Sequence, residues 1–76
     1  MDKQRLYSVM ALRGDRQRDL AEWLHISEAR LNAKINSYRG AEFKQSEIIG
    51  IKDRYHLTAA EVDQIFFGQA VSQMET

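Results

Sequence analysis

The sequence contains no cysteine and no proline, and only four glycines among its 76 residues. Without cysteine, no disulfide can form and a zinc site with cysteine ligands is excluded. No run approaches the roughly 18 to 20 apolar residues of a membrane span, and the first ten residues lack the apolar centre of a signal peptide. We therefore expect one soluble, cytoplasmic domain over residues 1–68, followed by a short flexible tail at residues 69–76.

Charge is unevenly distributed along the chain, although the formal net charge is zero. Residues 1–44 carry nine basic and six acidic side chains, a balance of +3, whereas residues 45–76 carry two basic and five acidic ones, a balance of −3. This asymmetry suggests one surface for phosphates and another surface for a different partner. Solvated charged faces produce similar balances by chance, so charge alone does not choose between nucleic acid and protein.

Helical periodicity predicts an all-α domain of five short helices and no strand. In the first helix, predicted over residues 3–13, Leu6 and Met10 belong to an apolar stripe, and Gly14 follows as a left-handed stop. The next residue, Asp15, is expected to cap the second helix.

The two last helices are predicted from capping residues. Ser46 is expected to cap a fourth helix that runs to about Tyr55. Thr58 and Glu61 have the spacing of a capping box at the start of a fifth helix, which Gly68 is expected to end.

The stretch from Gln17 to Asn36 predicts two further helices joined by a tight corner. Apolar residues recur at helical spacing on both sides of the corner, namely Leu20, Ala21 and Leu24 before it and Leu31, Ile35 and Tyr38 after it. Ile26 can fill the corner, and the Ser27 hydroxyl can cap the first amides of the second of these helices. Helix, corner, cap and helix is the outline of a helix-turn-helix.

This stretch resembles the helix-turn-helix of the phage Cro and repressor family, also called the XRE-type family. That family follows the approximate pattern Q-x-x-L-A-x-x-L-G-I-S-x-x-x-[LIF]-S, with N-G shortly after. The matching residues are Gln17, Leu20, Ala21, Leu24, Ile26, Ser27, Leu31 and Asn36. His25 replaces the corner glycine, and Ser37 stands where glycine often follows. The resemblance implies a compact five-helix domain of the lambda-repressor type, acting in the cytoplasm of a bacterial or phage-infected cell.

The resemblance also implies that residues 28–37 form a helix that occupies a double-stranded DNA operator. At about 100° per residue, this helix should point Ala29, Ala33 and Asn36 outward, with Arg30 and Asn32 on the two shoulders. Small residues admit a helix backbone to the major groove, where arginine can bind guanine and asparagine can bind adenine.

Other residues are expected to contact the DNA backbone or to flank the reading positions. Gln17 matches the family position that binds a DNA phosphate, and Glu28 can accept a hydrogen bond from a cytosine amino group. The predicted DNA-contacting set is Gln17, Glu28, Ala29, Arg30, Asn32, Ala33, Lys34, Asn36, Arg39 and Lys44, of which Lys34, Arg39 and Lys44 are expected to neutralise phosphates.

Two functional hypotheses follow from these residues. The leading one is a Cro-like transcriptional repressor that binds its operator as a homodimer. The alternative is a modulator or antirepressor of the same fold that binds another phage regulator protein instead of DNA. Trp23, Phe66 and Phe67 are the predicted dimer or partner interface, since aromatic residues are enriched at protein interfaces.

Catalysis is not expected from this sequence. No nucleophile, base and orienting group occur at useful spacing, and no glycine-rich phosphate loop is present. The two histidines, His25 and His56, suggest no metal site. We therefore predict no enzymatic activity, no cofactor, no metal, no small-molecule ligand and no membrane partner.

Overall fold

Five α-helices and one 3-10 turn form the part of the chain that the computed structural model describes, residues 1–67. The helices are α1 (Lys3–Arg13), α2 (Gln17–Leu24), α3 (Glu28–Ile35), α4 (Gln45–Tyr55) and α5 (Ala59–Phe66), and the 3-10 turn is Tyr38–Gly40. The predicted all-α class is confirmed for these residues. The predicted stop at Gly68 and the predicted tail lie outside the described residues.

One core lies between the helices. α2 packs against α3 and α4, while α1 packs against α4 and α5. Every helix contributes at least one buried apolar side chain, and the full set is Leu6, Met10, Leu20, Ala21, Leu31, Ile35, Ile51, Leu57 and Ile65. Because α3 buries only one side, its opposite side is left to solvent.

Capping by side chains sets where three of the helices begin. Asp2 accepts a hydrogen bond from the Arg5 amide of α1, at 3.2 Å. The predicted cap at Ser27 and the predicted box of Thr58 and Glu61 are confirmed: the Arg30 amide donates to Ser27 Oγ at 3.1 Å, and Thr58 and Glu61 bond reciprocally. Each cap satisfies amides that the first helical turn leaves unpaired.

Two predicted caps were wrong. α2 is preceded by Arg16, whose amide donates to Asp19 Oδ2 at 2.8 Å, while Asp15 faces α4 instead. α4 begins before Ser46, at Gln45, and there a carboxylate at the third helical position again accepts from the residue that precedes the helix. In both places an acidic side chain inside the first turn replaces the expected cap.

The end of α3 also differs from the prediction. The helix was predicted to reach residue 37, but it ends at Ile35, and Ser37 adopts φ 52°, in the left-handed region. The chain therefore leaves the helical path before Tyr38. This residue was predicted to face the core, but 59% of its surface is exposed.

Candidate nucleic-acid interface

The connection between α2 and α3 consists of three residues, His25 to Ser27. His25 ends α2 with φ 59°, and the amides of His25 and Ile26 donate to the Glu22 and Ala21 carbonyls at 3.1 and 3.0 Å. These bonds are those of a left-handed helix stop, which His25 provides without the glycine of the family pattern. The corner fixes the direction in which α3 leaves α2.

The solvent side of α3 carries most of the predicted reading residues. Glu28, Ala29, Arg30 and Asn32 are exposed, and Ala33 is half-buried. One acidic and one basic side chain are thus present at its first turn, beside two small residues. This face permits close approach of a partner, but it carries no strong charge of either sign.

A chain of side-chain hydrogen bonds crosses the exposed side of α3. Asn36 follows the helix, and its Nδ2 donates to the Asn32 backbone oxygen at 2.9 Å and to Asn32 Oδ1 at 3.0 Å. Asn32 Nδ2 donates to Gln17 Oε1, at the start of α2, at 3.4 Å. Lys3 Nζ, on α1, donates to Asn36 Oδ1 at 3.0 Å. Three predicted site residues therefore form one unit.

Sequence reasoning missed the fourth member of this unit, Lys3. It is 33 residues away from Asn36, and no local pattern connects the two positions. The backbone places it firmly, since the Asp2 amide donates to the Ile65 carbonyl of α5 at 2.6 Å. α1 thereby brings a cation to the end of α3.

Lys34 does not lie where a phosphate contact requires. Only 5% of its surface is exposed, and its Nζ donates to both carboxylate oxygens of Glu47, at 2.7 and 3.0 Å. The predicted phosphate role of Lys34 is therefore incompatible with this conformation. Because Lys34 lies about 60° from the buried Leu31 around the helix axis, its position on the core side was visible in the sequence.

Glu47 stays ionised in this buried position. Burial acts to raise its pKa, but the hydrogen bonds from Lys34 and from the Lys44 amide, together with both lysine charges, outweigh burial and leave the pKa of Glu47 below its ordinary value. One carboxylate therefore holds α3 and also caps α4, since the Lys44 amide donates to its Oε1 at 2.7 Å.

Two other predicted phosphate contacts are exposed. Arg39 adopts φ 52°, and its guanidinium lies 5.2 Å from the centre of the Tyr38 ring. Lys44 precedes α4 and projects from the surface. Both side chains follow α3 in the sequence and are free to meet a phosphate.

The predicted interface aromatics lie in different surroundings. Phe67 is 50% exposed, whereas Phe66 is half-buried and meets the Phe43 ring edge-on at 5.6 Å, so Phe66 belongs largely to the core. Trp23 is 46% exposed. Its Nε1 donates to the Gly50 carbonyl at 2.9 Å, and the Arg54 guanidinium lies 5.3 Å from its ring, so one side of Trp23 is fixed against α4.

A groove of about 520 Å³ lies between α4 and α5. Its apolar lining includes Phe67 and Ile49, each about half exposed, beside Val62. Lys52 of α4 and Asp63 of α5 also line it. This is a second surface with the composition of a protein interface, separate from the solvent side of α3.

Comparison with protein-family models, with curated proteins and with solved structures found no match. Within residues 1–67, no group of three or more histidine or acidic side chains is placed to hold a metal ion. In the same residues, no helix is both long and apolar enough to cross a bilayer.

Proposed function

We propose that the chain is a sequence-specific DNA-binding regulator of the Cro and repressor type, with α2 and α3 as its helix-turn-helix. The observation that carries the proposal is the outer side of α3, where Ala29 and Ala33 stand between the polar groups of Arg30 and Asn32. A helix with this face can enter the major groove, and its arginine and asparagine match guanine and adenine.

The surrounding residues support the same docking direction. Arg39 and Lys44 are exposed beyond the end of α3, and the amides at the start of α2 lie beside Gln17. Phosphates of one DNA strand would meet these groups while α3 reads base edges. As a repressor, the protein would exclude polymerase or a competing regulator from the operator.

Arg30→Ala is the first test. The specific duplex is the one that the unmodified chain enriches from a randomised library, and a scrambled duplex serves as the non-specific one. The Arg30→Ala variant should bind the specific duplex more weakly by about 1 to 3 kcal/mol and should lose less affinity for the scrambled one. The reason is that Arg30 is expected to contact base edges. Fluorescence anisotropy at about 50 and about 200 mM salt measures both affinities.

Arg5→Ala is the matched control, because Arg5 is exposed on α1 and pairs with Asp2. It removes the same charge from a different surface and should leave the discrimination between the duplexes unchanged. If the unmodified chain enriches no duplex from the library at about 50 mM salt, the proposed function is refuted.

We propose further that two copies act together through the groove between α4 and α5. Half-exposed Phe67 and Ile49 give the groove apolar surface, and its lining also includes Lys52 and Asp63, whose opposite charges suit pairing between two copies. Two copies would present two α3 helices to an operator with two half-sites.

Phe67→Ala should weaken self-association several-fold while leaving the helical circular dichroism close to that of the unmodified chain. Sedimentation velocity over a concentration series measures the association, because lost apolar contact lowers dimer affinity. Leu12→Ala is the control, since Leu12 is 89% exposed on α1, outside this groove. A monomeric unmodified chain at high micromolar concentration contradicts the interface.

A second candidate function is the binding of another regulator protein. It is favoured by the withdrawal of Lys34 into its pair with Glu47, which leaves Glu28 and Arg30 as the charged residues of the α3 surface. Half-exposed Trp23 is the expected anchor for such a partner. In that case Trp23→Ala would reduce binding more than Arg30→Ala, and binding would depend only mildly on salt.

A further inference from the structure

Asn32, within α3, and Asn36, which follows the helix, have unequal capacity to bind a base. A carboxamide has two N–H donors and two acceptor positions on its oxygen. Asn36 uses both donors, on the Asn32 backbone oxygen and on Asn32 Oδ1, and its Oδ1 accepts from Lys3. It therefore retains one acceptor position and no donor.

Asn32 retains one group of each kind. Its Oδ1 accepts one bond from Asn36, and its Nδ2 donates one bond to Gln17. One acceptor position and one N–H stay free, which are the groups that bind adenine N6–H and N7 together. Asn36 cannot make this bidentate contact unless it gives up a bond to Asn32.

We propose that Asn32 is the adenine-reading residue of α3 and that Lys3 and Asn36 are positioning residues that orient its carboxamide. This inference rests on the proposed DNA-binding function and specifies which base contact each asparagine can make. Because the Lys3 ammonium donates to Asn36 Oδ1, the Asn36 carboxamide is held with its Nδ2 donating to Asn32 Oδ1. Gln17 holds the other end of the Asn32 carboxamide.

The positioning part is tested without DNA. In a ¹⁵N-correlated NMR spectrum, Lys3→Met should shift the side-chain amide signals of Asn36 and Asn32 and speed their exchange with water. Lys3→Arg, which retains a cationic donor, should restore both properties. Lys44→Met removes a lysine that lies outside this hydrogen-bond chain and should change neither. Unchanged amide signals in Lys3→Met would overturn the role of Lys3.

The reading part is tested by selection from a duplex library randomised over one helical turn. The unmodified chain should enrich a site with a preferred A·T pair. In Asn32→Ala, the ratio of affinities for the preferred pair over the other pairs should fall by roughly 5- to 150-fold, the range of one bidentate base contact. Lys3→Met should reduce the preference at the same pair by about threefold, a smaller effect than that of Asn32→Ala because the Asn32 side chain itself is retained.

The remaining outcomes separate this inference from the proposed function. If the unmodified chain enriches a site but Asn32→Ala keeps every base preference, Asn32 is not the reader and DNA binding stands. If Asn36→Ala removes an adenine preference that Asn32→Ala keeps, the two roles are reversed and the inference fails. If no site is enriched at about 50 mM salt, the proposed function and the inference fail together.

Discussion

Lys34→Met is expected to destabilise the domain by about 3 to 5 kcal/mol, because it leaves the Glu47 carboxylate buried without its cation. The two side chains are 5% and 9% exposed, and their closest approach is 2.7 Å. A domain of this size has a total stability of only about 5 kcal/mol or somewhat more, so the variant should be largely unfolded on moderate heating. Urea unfolding followed by circular dichroism measures the loss.

Removing both charges should reverse most of that loss. Lys34→Met combined with Glu47→Leu leaves no unpaired ion, and an apolar pair of similar volume is often as stable as a buried ion pair. The Lys44 amide would still lose the Glu47 carboxylate as its hydrogen-bond acceptor, at a cost of about 1 kcal/mol. A double variant no more stable than Lys34→Met would show that the ion pair is not the source of the effect.

An exposed ion pair provides the control. Arg16 and Asp19 lie 3.8 Å apart, and the Arg16 side chain is 73% exposed. Arg16→Met should therefore change stability by less than about 1 kcal/mol, since solvent screens such pairs. Lys34→Met and Arg16→Met each remove one positive charge from an ion pair. The difference between their losses of stability therefore measures the effect of burying the pair.

The buried pair has a consequence for function. Glu47 belongs to α4 and caps its start, while Lys34 is in the last turn of α3. The direction of α3 is thus fixed from two sides, by the His25 corner at one end and by α4 at the other. Lys34, which was predicted to contact a phosphate, instead holds α3 against α4.

Local features of the fold were predictable from the sequence because their causes are local. Gly14 and His25 end helices in the left-handed region, at φ 79° and 59°. Ser27 and Thr58 cap helices through bonds to residues three positions later. Each feature depends on a few neighbouring residues, so short patterns identify it.

Features set by distant residues were not predictable in the same way. Asp15 was expected to cap α2, but Arg54, 39 residues later, takes its carboxylate. Lys3 reaches Asn36 across 33 residues. Tyr38 continued the apolar spacing of α3, yet the left-handed Ser37 ends that register. A one-dimensional pattern contains neither the partner across the core nor the point at which the helical path stops.

The candidate site was predictable in outline and not in detail. Arg30 and Asn32 are exposed, as the helical angles indicated. The angles could not show that Asn36 commits both amide hydrogens to Asn32, or that Lys34 has a buried partner. Side-chain hydrogen bonds between elements depend on how α1, α3 and α4 pack together.

Asp15→Asn is expected to destabilise the domain by about 2 to 4 kcal/mol at neutral pH, somewhat less than a fully buried broken pair because Arg54 is one-fifth exposed. Asp15 accepts from Arg54 Nε at 2.6 Å, from Arg54 Nη2 at 2.9 Å and from the Tyr55 hydroxyl at 2.7 Å. These bonds join the turn before α2 to the end of α4. Asparagine cannot accept both arginine bonds, and it removes the charge.

The pH dependence of the difference between the unmodified chain and Asp15→Asn is diagnostic. The hydrogen bond from Arg54, which outweighs burial, and the bond from Tyr55 lower the pKa of Asp15. A lowered folded-state pKa gives stability that is fully present above the unfolded pKa of about 3.9 and is lost as pH falls through the folded pKa. Unfolding free energies should therefore differ most near pH 7 and converge in strong acid. Asp53→Asn replaces an exposed carboxylate of α4 and is the control, which should change stability little at neutral pH. A pH-independent difference for Asp15→Asn would mean that its charge is not what stabilises the turn.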